Sequence, residues 1–382
     1  MTTDPKDWIA VAALPCLGPA SIKRLWEHGW TPEKLLTAST IEWQRLGLKQ
    51  KTIDALNEYQ HSSQGLIHTT IANALQWQSS YDDAHLLPIT HGDYPHLLRE
   101  IYDPPPILFV RGNVDALSLP QIAIVGSRSA SKSGLKQSYG FALELAQNGL
   151  VINSGLALGV DAAAHQACVD ISKPTLAVFG TGIDRMYPAR NRVLASEILQ
   201  NGGAWISELF LGAPPIAPHF PKRNRLISGM SAGVLVVEAA PKSGSLITAR
   251  MAMEHGREVF ALPGPLNSPL SRGCHLLIKE GAVLVETAQE MVDHLAPLLG
   301  CYLNEGSDLD SAHLGPPAEQ GVRVELSGDE IQVLEQMGYE VCCIDQLSVQ
   351  SGFSIAELSQ ILVALELKGV VEQREGGYIK CC

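Results

Sequence analysis

Four short glycine- and serine-rich stretches follow apolar runs in the middle of the chain: Gly126-Ser127-Arg128-Ser129, Ser154-Gly155 with Gly159-Val160-Asp161 just beyond it, Gly180-Thr181-Gly182, and Lys242-Ser243-Gly244-Ser245. Small residues let main-chain N–H groups come close to a ligand, and a helix starting behind each loop favours an anion there. A second concentration is His219-Phe220-Pro221-Lys222-Arg223-Asn224-Arg225, where three cations, an amide and an aromatic ring fall within seven residues. Guanidinium groups suit bidentate phosphate recognition, and a phenyl ring offers a face on which a base can stack. These residue types point to the gripping of phosphates. The plain alternative is that Phe220 is core and the arginines pair with acids such as Glu208.

The standard nucleotide fingerprints do not occur. No G-x-G-x-x-G follows the strand before Gly126, and no G-x-x-x-x-G-K-[ST] occurs anywhere, which argues against ATP and NAD. Asp161 and His165 stand at i, i+4 on one helix face, and with Glu208 or Glu238 they offer a metal or acid–base set. A helix-start aspartate capping its own first turn, with a packed histidine behind it, explains the same spacing. No Ser/His/Asp or Cys/His nucleophile pattern stands out. The eight cysteines include no C-x-x-C, so zinc spacing is missing and the thiols read as reduced and structural. Neither a metal nor a cofactor is expected, and the chain reads as a binder rather than an enzyme.

The elements that must position these residues have a clear rhythm. Residues 8–75 read as short amphipathic helices: Trp8–Ala13, Ala20–His28, Pro32–Ala38, Ile41–Leu46 and a longer one from about Ser63. The stretch Leu14 to Leu25 reads two ways. It is either a helix-hairpin-helix whose turn aims N–H groups at a phosphate, or a plain turn capped by Gly18 and Pro19. The helical module of residues 1–80 then gives way to a proline-rich connector, Tyr94-Pro95 and Asp103-Pro104-Pro105-Pro106, and a short strand at Ile107–Arg111.

From Gln121 onward strands alternate with helices. Strands are expected near Ile122–Val125, Val151–Asn153, Thr175–Phe179, Ala204–Ser207, Val234–Glu238, Glu258–Leu262 and Ala282–Val285. Between them lie helices near Ser133–Gln147, Asp161–Asp170, Arg190–Gln200, Arg225–Met230, Leu246–His255 and Arg272–Lys279. Near-continuous apolar strands need cover on both faces, so this is an α/β fold: an extended Rossmann-like, doubly wound, mostly parallel sheet over residues 81–300. An acidic linker is expected at 301–322. A winged helix at 323–382 follows, built from helices at Asp329–Gln336, Ile344–Ser351 and Ser354–Lys368 and a hairpin turning at Gly376-Gly377.

The 382 residues carry a net charge of −12, which runs against the basic footprint of a nucleic-acid binder. The distribution weakens that objection. Residues 219–257 hold six cations against two acids, whereas 302–345 hold ten acids against one arginine. With no apolar run of eighteen residues and no secretory leader, the expected location is the cytosol, with no membrane contact.

The ordered strings Gly126-Ser127-Arg128, Ser154 to His165, Gly180-Thr181-Gly182 with Tyr187-Pro188-Ala189-Arg190-Asn191, Ser207-Glu208, Phe220 to Arg225, Val236 to Ala239, Ser243 to Ala249 and Gly256 to Gly264 resemble the DNA processing protein A (DprA/Smf) family. The resemblance covers residues 121–285 nearly without interruption. It implies an extended Rossmann fold that binds single-stranded DNA, forms a homodimer through that domain, protects incoming strands in natural transformation and hands them to a RecA-type recombinase. By motif position Arg128 would hold a phosphate, the Gly-Ser loops would donate N–H groups and Phe220 would meet a base or sugar. Many members place a lysine three residues before that phenylalanine, where this chain has Ala217. That phosphate contact is either missing or supplied by Lys222 or Lys242. Two rival readings remain: a nucleotide-processing enzyme of phosphoribohydrolase type using Asp161, His165 and Glu208, and a duplex-binding regulator. Asp345 and Glu357 in the recognition region of the winged helix weigh against the second.

Overall fold

A computed structural model of the chain describes residues 4–305, 332–333, 337, 342–351, 353–367, 371–374 and 377–380. The chain divides into two compact units, Met1–Leu309 and Asp310–Cys382. The first opens with six helices: α1 (Pro5–Ala12), α2 (Pro19–Glu27), α3 (Pro32–Thr37), α4 (Thr40–Arg45), α5 (Gln50–His61) and α6 (Leu66–Ser79). The first three begin on a proline, whose fixed φ suits a first turn that needs no N–H partner. Gly18 caps α2 with its carbonyl, which accepts from the Ser21 and Ile22 amides. The helices close around Trp8, Trp43 and Leu56, all buried. Their apolar residues and those of the first strands, β1 (Ala84–Pro88) and β2 (Ile107–Gly112), join one core, so the helical module packs directly on the flank of the sheet.

The sheet has nine strands in the order β1-β2-β6-β5-β4-β3-β7-β8-β9. The parallel part comprises β3 (Gln121–Val125), β4 (Val151–Ser154), β5 (Thr175–Val178), β6 (Ala204–Ser207), β7 (Gly233–Val236), β8 (Glu258–Ala261) and β9 (Val283–Leu284). Only β2 runs against the others: it lies antiparallel along β6 on one side and β1 on the other. The side chains of β3 alternate between two cores. Ile122 and Ile124 join one, and Ala123 and Val125 the other, which is why the run Ile122–Val125 is apolar.

The linking helices are α7 (His96–Glu100), α8 (Lys132–Gln147), α9 (Val160–Asp170), α10 (Arg192–Gln200), α11 (His219–Met230), α12 (Gly244–Glu254), α13 (Arg272–Lys279) and α14 (Ala288–Glu305). After β3 the chain winds outward through β4, β5 and β6, then α11 carries it back past β3 to β7. The strand order reverses at β3/β7, and in such sheets ligands sit outside the carboxyl ends of the strands near that point.

Two expectations are corrected here. The helix expected near Arg225–Met230 starts earlier, at His219, so His219–Arg225 forms the first two turns of α11; Pro221 falls in the first turn, where a proline blocks no hydrogen bond. Residues 301–305, read as linker, belong to α14. The remainder of that span, 306–322, lies outside the described residues. So does most of the helix expected at Asp329–Gln336, of which Gln332 and Val333 are helical.

In the second unit α15 (Ile344–Ser351) and α16 (Ile355–Leu367) precede a hairpin of β10 (Val371–Arg374) and β11 (Gly377–Lys380), with an isolated bridge from Cys342 to Tyr378. Ser354 and Glu357 form a reciprocal cap before α16. Leu347, Leu358, Leu362, Leu365 and Val371 make its core.

Candidate functional site

The first turns of α11 touch the loops after β4, β5 and β7, and the loop after β3 as well. Phe220 lies against Gly180, where an added Cβ would stand 2.8 Å from the ring. The Arg128 guanidinium carbon lies over the same ring, 5.4 Å from its centroid. Tyr187 completes the group, its ring tilted 48° to Phe220 at 5.6 Å. Asn224 Nδ2 donates to the Gly244 carbonyl at 3.3 Å. Arg128 and Lys242 are exposed at this rim, and Phe220 is partly buried.

Arg223 goes the other way, into the protein. Its Nη1 donates to the carbonyls of Gly155, at 2.7 Å, and Val178, while Nε donates to Asn224 Oδ1. Burial pulls its pKa down to about 10 against the opposing pull of the Asp161 carboxylate. Asp161 is buried in turn, and its Oδ2 accepts from the Gly155 and Ala157 amides. Burial pushes its carboxyl pKa up, and Arg223 and the two amides act against that rise. Asn191 Nδ2 donates to the Leu156 carbonyl at 2.8 Å and fixes the next peptide. The loop after β4 is therefore held from inside by a cation, a carboxylate and an amide.

Arg225 is also internal. It pairs with Glu208, donates through Nη1 to the Asp103 carbonyl at 2.6 Å, and places Nε 3.3 Å from the Asp103 carboxylate. Burial raises the Glu208 pKa, and Arg225 and then Lys222 oppose that rise. Lys222 Nζ stands 3.8 Å from Glu208, with its side chain 46% exposed. Further along, Asn153 Nδ2 donates to the Ile227 carbonyl and Ser231 Oγ, tying the last turn of α11 to the sheet.

Glu238, just past β7, occupies the start of α8. Its carboxylate accepts from the Ser131 N–H at 2.8 Å and Ser131 Oγ at 2.6 Å, and Gly134 leaves room for it because a side chain there would collide with the carboxylate. The position where a dinucleotide fold seats phosphate is filled by the protein's own acid.

The residues expected at the site thus divide. Ser127, Arg128, Phe220, Lys222, Lys242, Ser243 and Gly244 line or border the rim, with Asn224 bridging two loops. Gly126 packs on Val160, and Ser154, Gly155, Arg223, Arg225 and Ser245 are buried. Two assignments are corrected by this geometry. The Gly155 N–H, expected to face a phosphate, serves Asp161, and the Ser154 hydroxyl donates to the Ile124 carbonyl. Arg223 and Arg225, expected to hold phosphate, hold the Gly155, Val178 and Asp103 carbonyls and Glu208, because the helix begins at His219 and turns both side chains inward.

The acid–base set is likewise dispersed. His165 Nδ1 lies 2.8 Å from Thr175 Oγ1, and burial, with Arg223 adding to it, lowers its pKa to about 3. Asp161 accepts from the Gly155 and Ala157 amides, and Glu208 pairs with Arg225. No group of three His, Cys, Asp or Glu among the described residues is arranged to hold a metal ion. Tyr187 received no role from the sequence. The available signal was an exposed aromatic in the Gly-rich loop after β5.

Comparison with known proteins agrees with this architecture. Residues 85–296 match the family described as DNA recombination-mediator protein A, and residues 316–377 match the DprA winged helix domain. Protein Smf of Escherichia coli (strain K12) is 40% identical over 311 residues, which is 81% of each chain. An X-ray structure of DNA processing protein A (DprA) from Streptococcus pneumoniae, 36% identical, superposes with a TM-score of 0.64 over 77% of this chain and 98% of that one. The DNA processing protein A of Helicobacter pylori, solved for its single-stranded DNA binding mode, is 33% identical with a TM-score of 0.51, over 57% of this chain and 98% of its own. On its matched domains and its similarity to Smf over four-fifths of its length, the chain belongs to the DNA recombination-mediator protein A family.

Proposed function

We propose that this chain binds single-stranded DNA during DNA processing in natural transformation, protecting incoming strands and loading them onto a RecA-type recombinase, without catalysing a reaction on the DNA. It acts as a homodimer through its Rossmann-like domain, in the cytosol. Kinship with the H. pylori protein supports the ligand, and no helix among the described residues is long and apolar enough to cross a membrane.

The observation that carries the reading is the meeting of the strand-end loops on the first turns of α11, with Arg128 poised over Phe220. Arg128 and Lys242 supply exposed positive charge for successive phosphates, aided by the N-terminus of α12, where Ser243 caps the helix. Phe220 is the support on which Arg128 rests, and Lys222 stands at the edge. The buried Arg223 and Arg225 hold the loops in place. Such a grip follows a backbone and reads no particular base.

A phosphoribohydrolase needs free acid–base groups and a phosphate seat. Here Asp161, His165 and Glu208 are engaged internally, and Glu238 fills the start of α8. Thermal unfolding in the presence of oligo-dT and of nucleoside monophosphates separates the two readings. Stabilisation that saturates with the oligonucleotide alone supports strand binding, whereas saturable stabilisation by a micromolar mononucleotide overturns it.

A further inference from the structure

We infer that Tyr187 is a stacking platform for an unpaired base, presented beside the phosphate-binding Arg128 by the ring of Phe220. The inference rests on the strand-binding reading above and adds to it a residue that the motif carried without a role. Phe220 has little open surface to offer. The Gly180 main chain lies against the ring on one side, and the Arg128 guanidinium lies over it at 5.4 Å. A base seated flat on Phe220 would have to displace the arginine. Tyr187 is 44% exposed, and it leans on Phe220 at 5.6 Å.

The loop that carries Tyr187 is fixed at several points. Thr181 Oγ1 donates to the Arg185 carbonyl at 2.6 Å, Ser207 Oγ to the Thr181 carbonyl at 2.7 Å, the Gly182 amide to the Ala213 carbonyl at 3.0 Å, and Asn191 Nδ2 to the Leu156 carbonyl at 2.8 Å. Holding the ring in place before the ligand arrives lowers the ordering cost of binding. A nucleotide whose phosphate meets Arg128 has its base within reach of this ring, since both groups rest on the same phenylalanine. The recognised chemistry is a π-face next to a phosphodiester, with no demand on base identity.

The test uses the full chain and two oligonucleotides of equal length, oligo-dT and the same backbone with abasic sites, measured by fluorescence anisotropy. Wild type binds oligo-dT more tightly than the abasic strand. Tyr187→Ala loses about 5- to 150-fold on oligo-dT, the span that stacking one base carries, and little on the abasic strand. Tyr187→Phe retains affinity, and Tyr187→Trp adds an indole whose fluorescence is quenched on binding oligo-dT. Because the side chain is exposed, the thermal midpoints of these variants match wild type. If wild type binds oligo-dT and Tyr187→Ala binds it equally well, with the same ratio between the two strands, the platform is overturned and strand binding stands. If wild type binds neither strand, the underlying reading fails and takes the platform with it.

Discussion

The Arg223 guanidinium donates to the Gly155 carbonyl across 2.7 Å, beneath the loop that ends β4. The same group serves the Val178 carbonyl at the end of β5, so one buried cation from α11 fastens two neighbouring strand ends. Asp161 stands against it and takes up the loop amides. The rim is shaped by charge the solvent does not reach.

Removing that cation leaves the buried Gly155 and Val178 carbonyls without their donor, and takes from Asp161 the nearby charge that opposes its raised pKa. Arg223→Met is expected to cost about 2–5 kcal/mol, since each buried polar group left unsatisfied costs about 1–3 kcal/mol. Urea titration of the variant against wild type measures it. A loss below about 1 kcal/mol would mark Arg223 as a surface-type residue.

Gly159 has φ +82°, and a side chain there would collide with the Ser127 carbonyl oxygen. Gly159→Ala is therefore expected to destabilise by about 2 kcal/mol or more, through backbone strain and overpacking together. Gly149, at φ +85° in open space, provides the control. Gly149→Ala is expected to cost only about 1–2 kcal/mol for the left-handed backbone. Equal losses in the two variants would show that the β3 and β4 loops are not in close contact.

His165 carries a pH prediction. Its pKa in the fold is about 3, against 6.5 for the free group, so the unfolded chain takes up a proton that the folded chain refuses. The stability this group contributes is complete above pH 6.5 and falls as pH drops through the window from 6.5 towards 3, by up to about 1.4 kcal/mol per unit. Half-buried His255, also shifted down by burial, acts in the same direction. Denaturation midpoints measured from pH 7 to pH 4 should fall less steeply for His165→Asn than for wild type. Identical slopes would place the imidazole in contact with water.

Much of the fold is written in local pattern. The apolar runs at Ile122–Val125 and Thr175–Val178 must be covered on both faces, and α13 begins and ends where the periodicity from Arg272 to Lys279 places it. The hairpin of β10 and β11 was signalled by the Gly376-Gly377 pair in the sequence. β1 was not foreseen, because His85 and Pro88 dilute its pattern and its pairing with β2 is tertiary. The direction of side chains was the less legible part. Arg223 and Arg225 share a segment with Phe220, and composition alone presents all three to a ligand. Only the start of α11 at His219, and the carbonyls and acids waiting inside, turn the two arginines inward.

The central claim is that exposed cations at this rim grip a flexible polyanion. Equilibrium binding of oligo-dT across a series of salt concentrations tests it most directly. Log affinity should fall linearly with log salt for wild type, and Arg128→Ala and Lys242→Ala should each flatten the slope by about 0.7, the contribution of one phosphate contact on a single strand. A wild-type protein that ignores oligo-dT in dilute buffer, or slopes that neither substitution changes, would contradict the account.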